Sequence, residues 1–128
     1  MFVVLETKNT IDALHGSIQQ VIIDNGFSLL HYYDFHALLE EKGFPIQQRA
    51  YTYEICRASM ASKMLTHVPV FSSMMPCRIS IYEQEGLTYI ATLDMLPMLD
   101  MIKDNHSLHE EAVKLYQQLL QMMNALSE

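Results

Sequence analysis

Apolar and polar positions alternate along this chain in two periods, and the switches between them mark the elements. Phe2, Val3, Val4 and Leu5 form a short run rich in β-branched residues, which predicts a strand over residues 2–7. Ile11, Leu14, Ile18, Val21 and Ile22 then recur every three or four positions and fall on one face of a helix. Asn9 is placed to cap that helix at Thr10, and Gly26 to stop it in the left-handed conformation glycine adopts freely. Gly16 lies inside it at a cost of about 1 kcal/mol against alanine, a cost expected where a helix packs closely on a sheet.

Residues 27–33 read as a second strand. Asp34 caps a short helix over residues 35–42, ended by Gly43. Over 48–56 the period returns to two, with Tyr51, Tyr53 and Ile55 on one face and Thr52, Glu54 and Cys56 on the other. Residues 58–66 are good helix formers that turn Ala61, Met64 and Leu65 toward a core. Residues 68–76 hold two prolines, two serines and no charge, which predicts an apolar loop, either docked on the core or exposed as a contact patch.

A hairpin follows. Ile79 and Ile81 alternate with Arg78, Ser80 and Tyr82, a turn falls at Gln84-Glu85-Gly86, and residues 87–93 return. Residues 95–102 form a loop or short helix around Pro97. The closing segment is the most strongly periodic: Ser107 and Glu110 suit a capping box, Leu108, Ala112, Leu115, Leu119, Met123 and Leu126 share a face, and Glu110 pairs with Lys114 at i,i+4. Helices combined with a hairpin-containing sheet predict a single α+β domain rather than a doubly wound parallel fold.

Length and composition narrow the function classes. At 128 residues, half of them hydrophobic, the chain can bury a core without disulfide or metal support. Fifteen acidic against eight basic residues give a net charge of −7, with no basic cluster, which argues against nucleic acid and anionic membranes as partners. No apolar run approaches membrane-spanning length, and the N-terminus lacks the basic and apolar regions of a signal peptide, so residence in the cytoplasm with reduced thiols is expected. No glycine-rich phosphate loop, metalloprotease signature or nucleophile elbow is present, so no enzyme class is indicated.

Candidate chemistry rests on the two cysteines. Cys56 precedes a predicted helix and is followed by Arg57; Cys77 starts the hairpin beside Arg78. A helix N-terminus and a neighbouring guanidinium both favour a thiolate. The more usual reading of the same two residues is as small buried hydrophobes, ahead of reactive thiol, metal ligand or persulfide carrier. Two thiols alone do not complete a zinc site, whereas thiolates with the thioethers of Met74 and Met75 would suit copper(I), so a soft metal such as copper(I) or zinc is the candidate cofactor. His106 with His109, and His31 with His36, have no metal-site spacing and read as solvated or half-buried side chains. Tyr51, Tyr53, Tyr82 and Tyr89 either line a concavity or cover a sheet face.

The runs Tyr53-Glu54-Ile55-Cys56-Arg57-Ala58 and Pro76-Cys77-Arg78-Ile79-Ser80-Ile81-Tyr82-Glu83, together with residues 61–65, Asn25-Gly26-Phe27 and Glu41-Lys42-Gly43-Phe44, resemble the family of the domain of unknown function 302. The resemblance spans residues 1–102; the helix over 103–128 lies outside it. It implies a curved, mainly antiparallel sheet packed by helices, similar to the TATA-binding-protein-like class, a homodimer, and membership of the subgroup with cysteines matching Cys56 and Cys77. It implies no established activity. Arg57-Ala58 stands where the pattern has Asn-Pro, and Leu93-Asp94-Met95 where it has an Asn-containing segment. Two functions follow as expectations: a small dimeric binding or interaction module using the apolar loop, or a thiol protein that holds a soft metal or carries sulfur on Cys56 and Cys77.

Overall fold

Strands β1 (Phe2–Thr7), β2 (Ser28–Asp34), β3 (Ala50–Cys56), β4 (Cys77–Gln84) and β5 (Leu87–Leu93) pair antiparallel throughout, in the order β1-β5-β4-β3-β2. The computed structural model describes residues 1–128. The α+β class is as expected, and the register shows which half of each alternation faces inward. Leu5 stands opposite Ile90, Ile90 opposite Ile81, and Ile81 opposite Tyr51, so these side chains form continuous rows on one face. The β4–β5 hairpin closes on Glu85 and Gly86, both at positive φ, as a two-residue turn between right-twisted strands requires.

Helices α1 (Ile11–Asp24) and α5 (His106–Ser127) cover the inward face. Ile11, Leu14, Ile18 and Ile22 of α1 meet Tyr53, Ile55, Ile79 and Ile81 of the sheet and Leu119, Met122, Met123 and Leu126 of α5 in the main core. A second core lies beyond one end of the sheet. There α3 (Ala58–His67), a 3-10 helix at Pro69–Met74, and α4 (Leu96–Leu99) with its 3-10 extension Asp100–Ile102 pack on the first half of α5 through Met60, Met64, Phe71, Leu99, Ile102, Leu108 and Tyr116. The short α2 (Phe35–Glu41) buries none of its residues.

Several local expectations change. Thr10, not Asn9, caps α1 and accepts from the Ala13 amide, because the Asn9 amide instead donates to the Leu126 and Glu128 carbonyls at the end of α5. Asn105 caps α5 by accepting from the Leu108 amide, so the helix starts before the proposed Ser107–Glu110 box. Leu65 is exposed, and Met60 takes its place in the core with Met64. The charge-free segment is a 3-10 helix rather than a loop, begun by Pro69 and docked by the buried Phe71.

Gly16 needs no close approach. A Cβ built there meets nothing within 4 Å, on the exposed side of α1. Gly16→Ala is therefore expected to stabilise the protein by about 0.5–1 kcal/mol through helix propensity and a less flexible unfolded chain. The check is a higher midpoint in chemical denaturation with an unchanged slope.

Candidate functional site

The two cores do not fuse, and a cavity lies between them at the sheet end where β3 stops and β4 begins. Its walls are Ile55, Cys56 and Cys77 from the strands, Met60, Ala61 and Met64 from α3, Phe71, Met74 and Met75 from the 3-10 segment, Met95, Met98 and Leu99 around α4, and Ala112, Leu115, Tyr116 and Leu119 from α5. Six of the ten methionines and both cysteines converge here. The cavity volume is about 60 Å³. Pockets for drug-sized ligands run to about 300–1,000 Å³, so this one suits an occupant of a few atoms.

Strand register brings the cysteines near each other. Cys77 faces Ile55 across the β3–β4 ladder, so the backbone of Cys56, the next residue of β3, lies close beside it. Cys77 points inward with Ile79 and Ile81 and packs against the main core. Its thiol donates to the Met95 sulfur at 3.8 Å. Burial, foremost, pushes the Cys77 thiol up; the neighbouring Cys56 adds to the rise, and Arg78 opposes it. A free Cys77 is thus held as the neutral thiol, which an apolar wall favours. Cys56 is half-buried, and neither cysteine forms a disulfide.

The arginines serve other purposes than thiol activation. The Arg57 guanidinium donates to the carbonyls of Asn25 at 2.8 Å and Gly26 at 3.3 Å and lies over the Phe27 ring, pinning the α1–β2 turn. Arg78 pairs with Glu54 at 3.2 Å across the ladder. Each forms a structural tie, and the Arg78–Glu54 pair follows from the β3–β4 register.

Met74 and Met75, proposed from sequence as thioether ligands, do line the cavity. The sulfur in contact with Cys77 is that of Met95. Its chain position gives no spacing signal; only the surplus of methionines hinted at it. Met95 is held by the start of α4, where the Asp94 carboxylate accepts from the Leu96 amide at 3.1 Å and from the Tyr116 hydroxyl at 3.3 Å. Burial pushes the Tyr116 phenol up, and Asp94 reinforces the shift.

The histidines are apart from this site. His36 bonds the Gln48 carbonyl, His31 stacks edge-on to Tyr33, and His67 pairs with Asp104. No three His, Cys, Asp or Glu side chains gather in a metal-binding arrangement. The tyrosines divide by face: Tyr51 and Tyr53 are buried inward, while Tyr82 and Tyr89 stack with ring centroids 5.3 Å apart on the other face.

A family model described as domain of unknown function DUF302 matches residues 3–126, and so takes in α5 as well as the segments that carried the sequence resemblance. A crystal structure of an uncharacterized conserved DUF302 protein from Bacillus stearothermophilus is similar at a TM-score of 0.84 and 18% identity, covering 99% of this chain and 98% of that one. No curated protein matches the sequence. No helix is long and apolar enough to cross a membrane.

Proposed function

We propose, for a chain that belongs to the DUF302 family and takes no activity from that membership, that it is a binding module whose ligand of a few atoms sits in the sulfur-lined cavity between the two cores. The carrying observation is the convergence of two cysteines and six methionines, from β3, β4, α3, the 3-10 segment and the α4 region, on one small apolar space. Scattered methionines serve as adaptable core filler. Here they gather instead around a space that remains open, since close packing normally leaves few voids larger than a water. The lining is almost wholly apolar, so neither water nor a hydrophilic solute is well accommodated.

This reading moves the binding surface inward. The charge-free segment from Pro69 to Met75 supports it as a wall, with Phe71 buried and Met74 and Met75 half-buried, rather than as an exposed patch.

Xenon is a suitable probe, being small, polarizable and uncharged. In protein labelled with 13C at the methionine methyls, dissolved xenon is expected to shift Met60, Met64, Met74, Met75, Met95 and Met98, while exposed Met1 and Met101 stay in place. Ala112→Leu, which extends a side chain from the α5 wall, should abolish those shifts. Unmoved cavity methyls, or equal shifts at Met1 and Met101, would count against a ligand space here.

A further inference from the structure

We propose that the occupant is a monovalent soft metal ion, copper(I), bound by the Cys77 thiolate and the Met95 thioether. The inference rests on the preceding reading that the cavity is a ligand site. It is carried by the 3.8 Å separation of the Cys77 and Met95 sulfurs on the wall of the cavity. Two sulfurs each about 2.3 Å from one ion, at tetrahedral to trigonal angles, stand about 3.8–4.0 Å apart. The pair is therefore spaced to share one ion without movement of the backbone.

Charge selects the ion. One thiolate and one thioether around Cu(I) make a neutral unit, which an apolar wall tolerates; the same pair around Zn(II) leaves a buried positive charge. Zinc also calls for four nitrogen, oxygen or thiolate donors, and no third His, Asp or Glu stands with the cysteines. Thioethers are soft donors that select Cu(I). On binding, the Cys77 S–H bond breaks, its proton leaves to solvent buffer, and a Cu–S bond forms. Copper stays at +1 throughout, so no oxidant or reductant takes part.

The test is an oxygen-free titration of the reduced, full-length protein with Cu(I) held by bicinchoninate, repeated with Cys77→Ser, Met95→Leu and Met101→Leu, each checked for folding by circular dichroism. One copper per chain should leave the chelator for the wild type and Met101→Leu. Binding should be lost in Cys77→Ser and weakened about tenfold or more in Met95→Leu, in the range set by removing supporting groups at metal sites. X-ray absorption at the copper edge should show only sulfur neighbours. Should Cys77→Ser not fold, Met95→Leu decides the matter. Undiminished binding in the folded cysteine variant or in Met95→Leu, nitrogen or oxygen neighbours, or displacement of copper by equimolar Zn(II) would overturn the proposal. Xenon shifts without copper uptake would overturn the metal while leaving the ligand cavity standing; absence of both would remove both.

Discussion

A chain stopped at Asn105 is expected to lose cooperative folding. Helix α5 supplies Leu119, Met122, Met123 and Leu126 to the main core and Leu108, Ala112 and Tyr116 to the second. Burying each large side chain among these contributes about 1.5–3 kcal/mol. Their combined loss, on the order of 10 kcal/mol, is comparable with the whole stability of an ordinary domain, about 5–15 kcal/mol. The truncation also removes the partners of the β1–α1 connection, where the Thr7 hydroxyl donates to the Ser127 carbonyl at 2.8 Å and the Asn9 amide to Leu126 and Glu128 at 2.9 Å each. Gln118, which donates to the Asn25 carbonyl beside Arg57, goes with it. Circular dichroism on heating and a proton–nitrogen correlation spectrum check this: a broad, non-cooperative melt with collapsed amide dispersion is expected. A sharp transition would mean that α5 is an accessory.

Tyr53→Ala comes next in magnitude, with an expected loss of about 3–5 kcal/mol, the usual cost of emptying a large aromatic site in a core. Tyr53 is 1% exposed at the centre of the inward face. Its ring sits within 6.2 Å of Tyr51 and 5.9 Å of Tyr32, centroid to centroid, and its hydroxyl meets His15 Nδ1 at 2.6 Å. His15 in turn stacks on Tyr51 at 4.1 Å. Tyr53→Phe keeps the packing and removes the hydrogen bond, so about 1 kcal/mol is expected. The two variants separate further with pH. Burial, foremost, and the neighbouring Tyr51 push the Tyr53 phenol well above its usual range. The folded protein therefore holds this proton more tightly than the unfolded chain. The resulting stability is fully present below about pH 10 and declines as pH rises beyond it. Urea midpoints between pH 8 and 11 should fall more steeply for the wild type than for Tyr53→Phe. Parallel slopes would show that the phenol does not contribute.

The parts of this structure that were legible in the sequence are those fixed by period. Tyr51, Tyr53 and Ile55 share a face because strand side chains alternate, and Leu108, Ala112, Leu119, Met123 and Leu126 share one because helical positions recur. Element ends were less legible. Asn9, Thr10, Asn105 and Ser107 are all competent caps, and tertiary hydrogen bonds decide among them: Asn9 is drawn to the end of α5, which leaves Thr10 for α1. Gly16 shows the same limit, since its spacing cannot tell an open helix face from a crowded one. At the cavity, the sequence could name Cys56, Cys77, Met74 and Met75 but not their arrangement. Proximity of the thiols depends on the β3–β4 register, with two helical segments intervening in the chain. Met95 comes to Cys77 only because the β4–β5 hairpin returns the chain to the same sheet end before α4 begins. The arginines beside the cysteines act elsewhere for local reasons: strand alternation sends Arg78 to the face opposite Cys77, where Glu54 meets it, and Arg57, between β3 and α3, reaches the Asn25 carbonyl.

The most direct measurement is a crystal of the reduced protein under xenon pressure, read by anomalous scattering. A single strong site among Cys77, Met95 and Met98, with the surrounding helices unmoved, is the predicted result. A space filled by its own methionine side chains, with xenon bound elsewhere or nowhere, would contradict it.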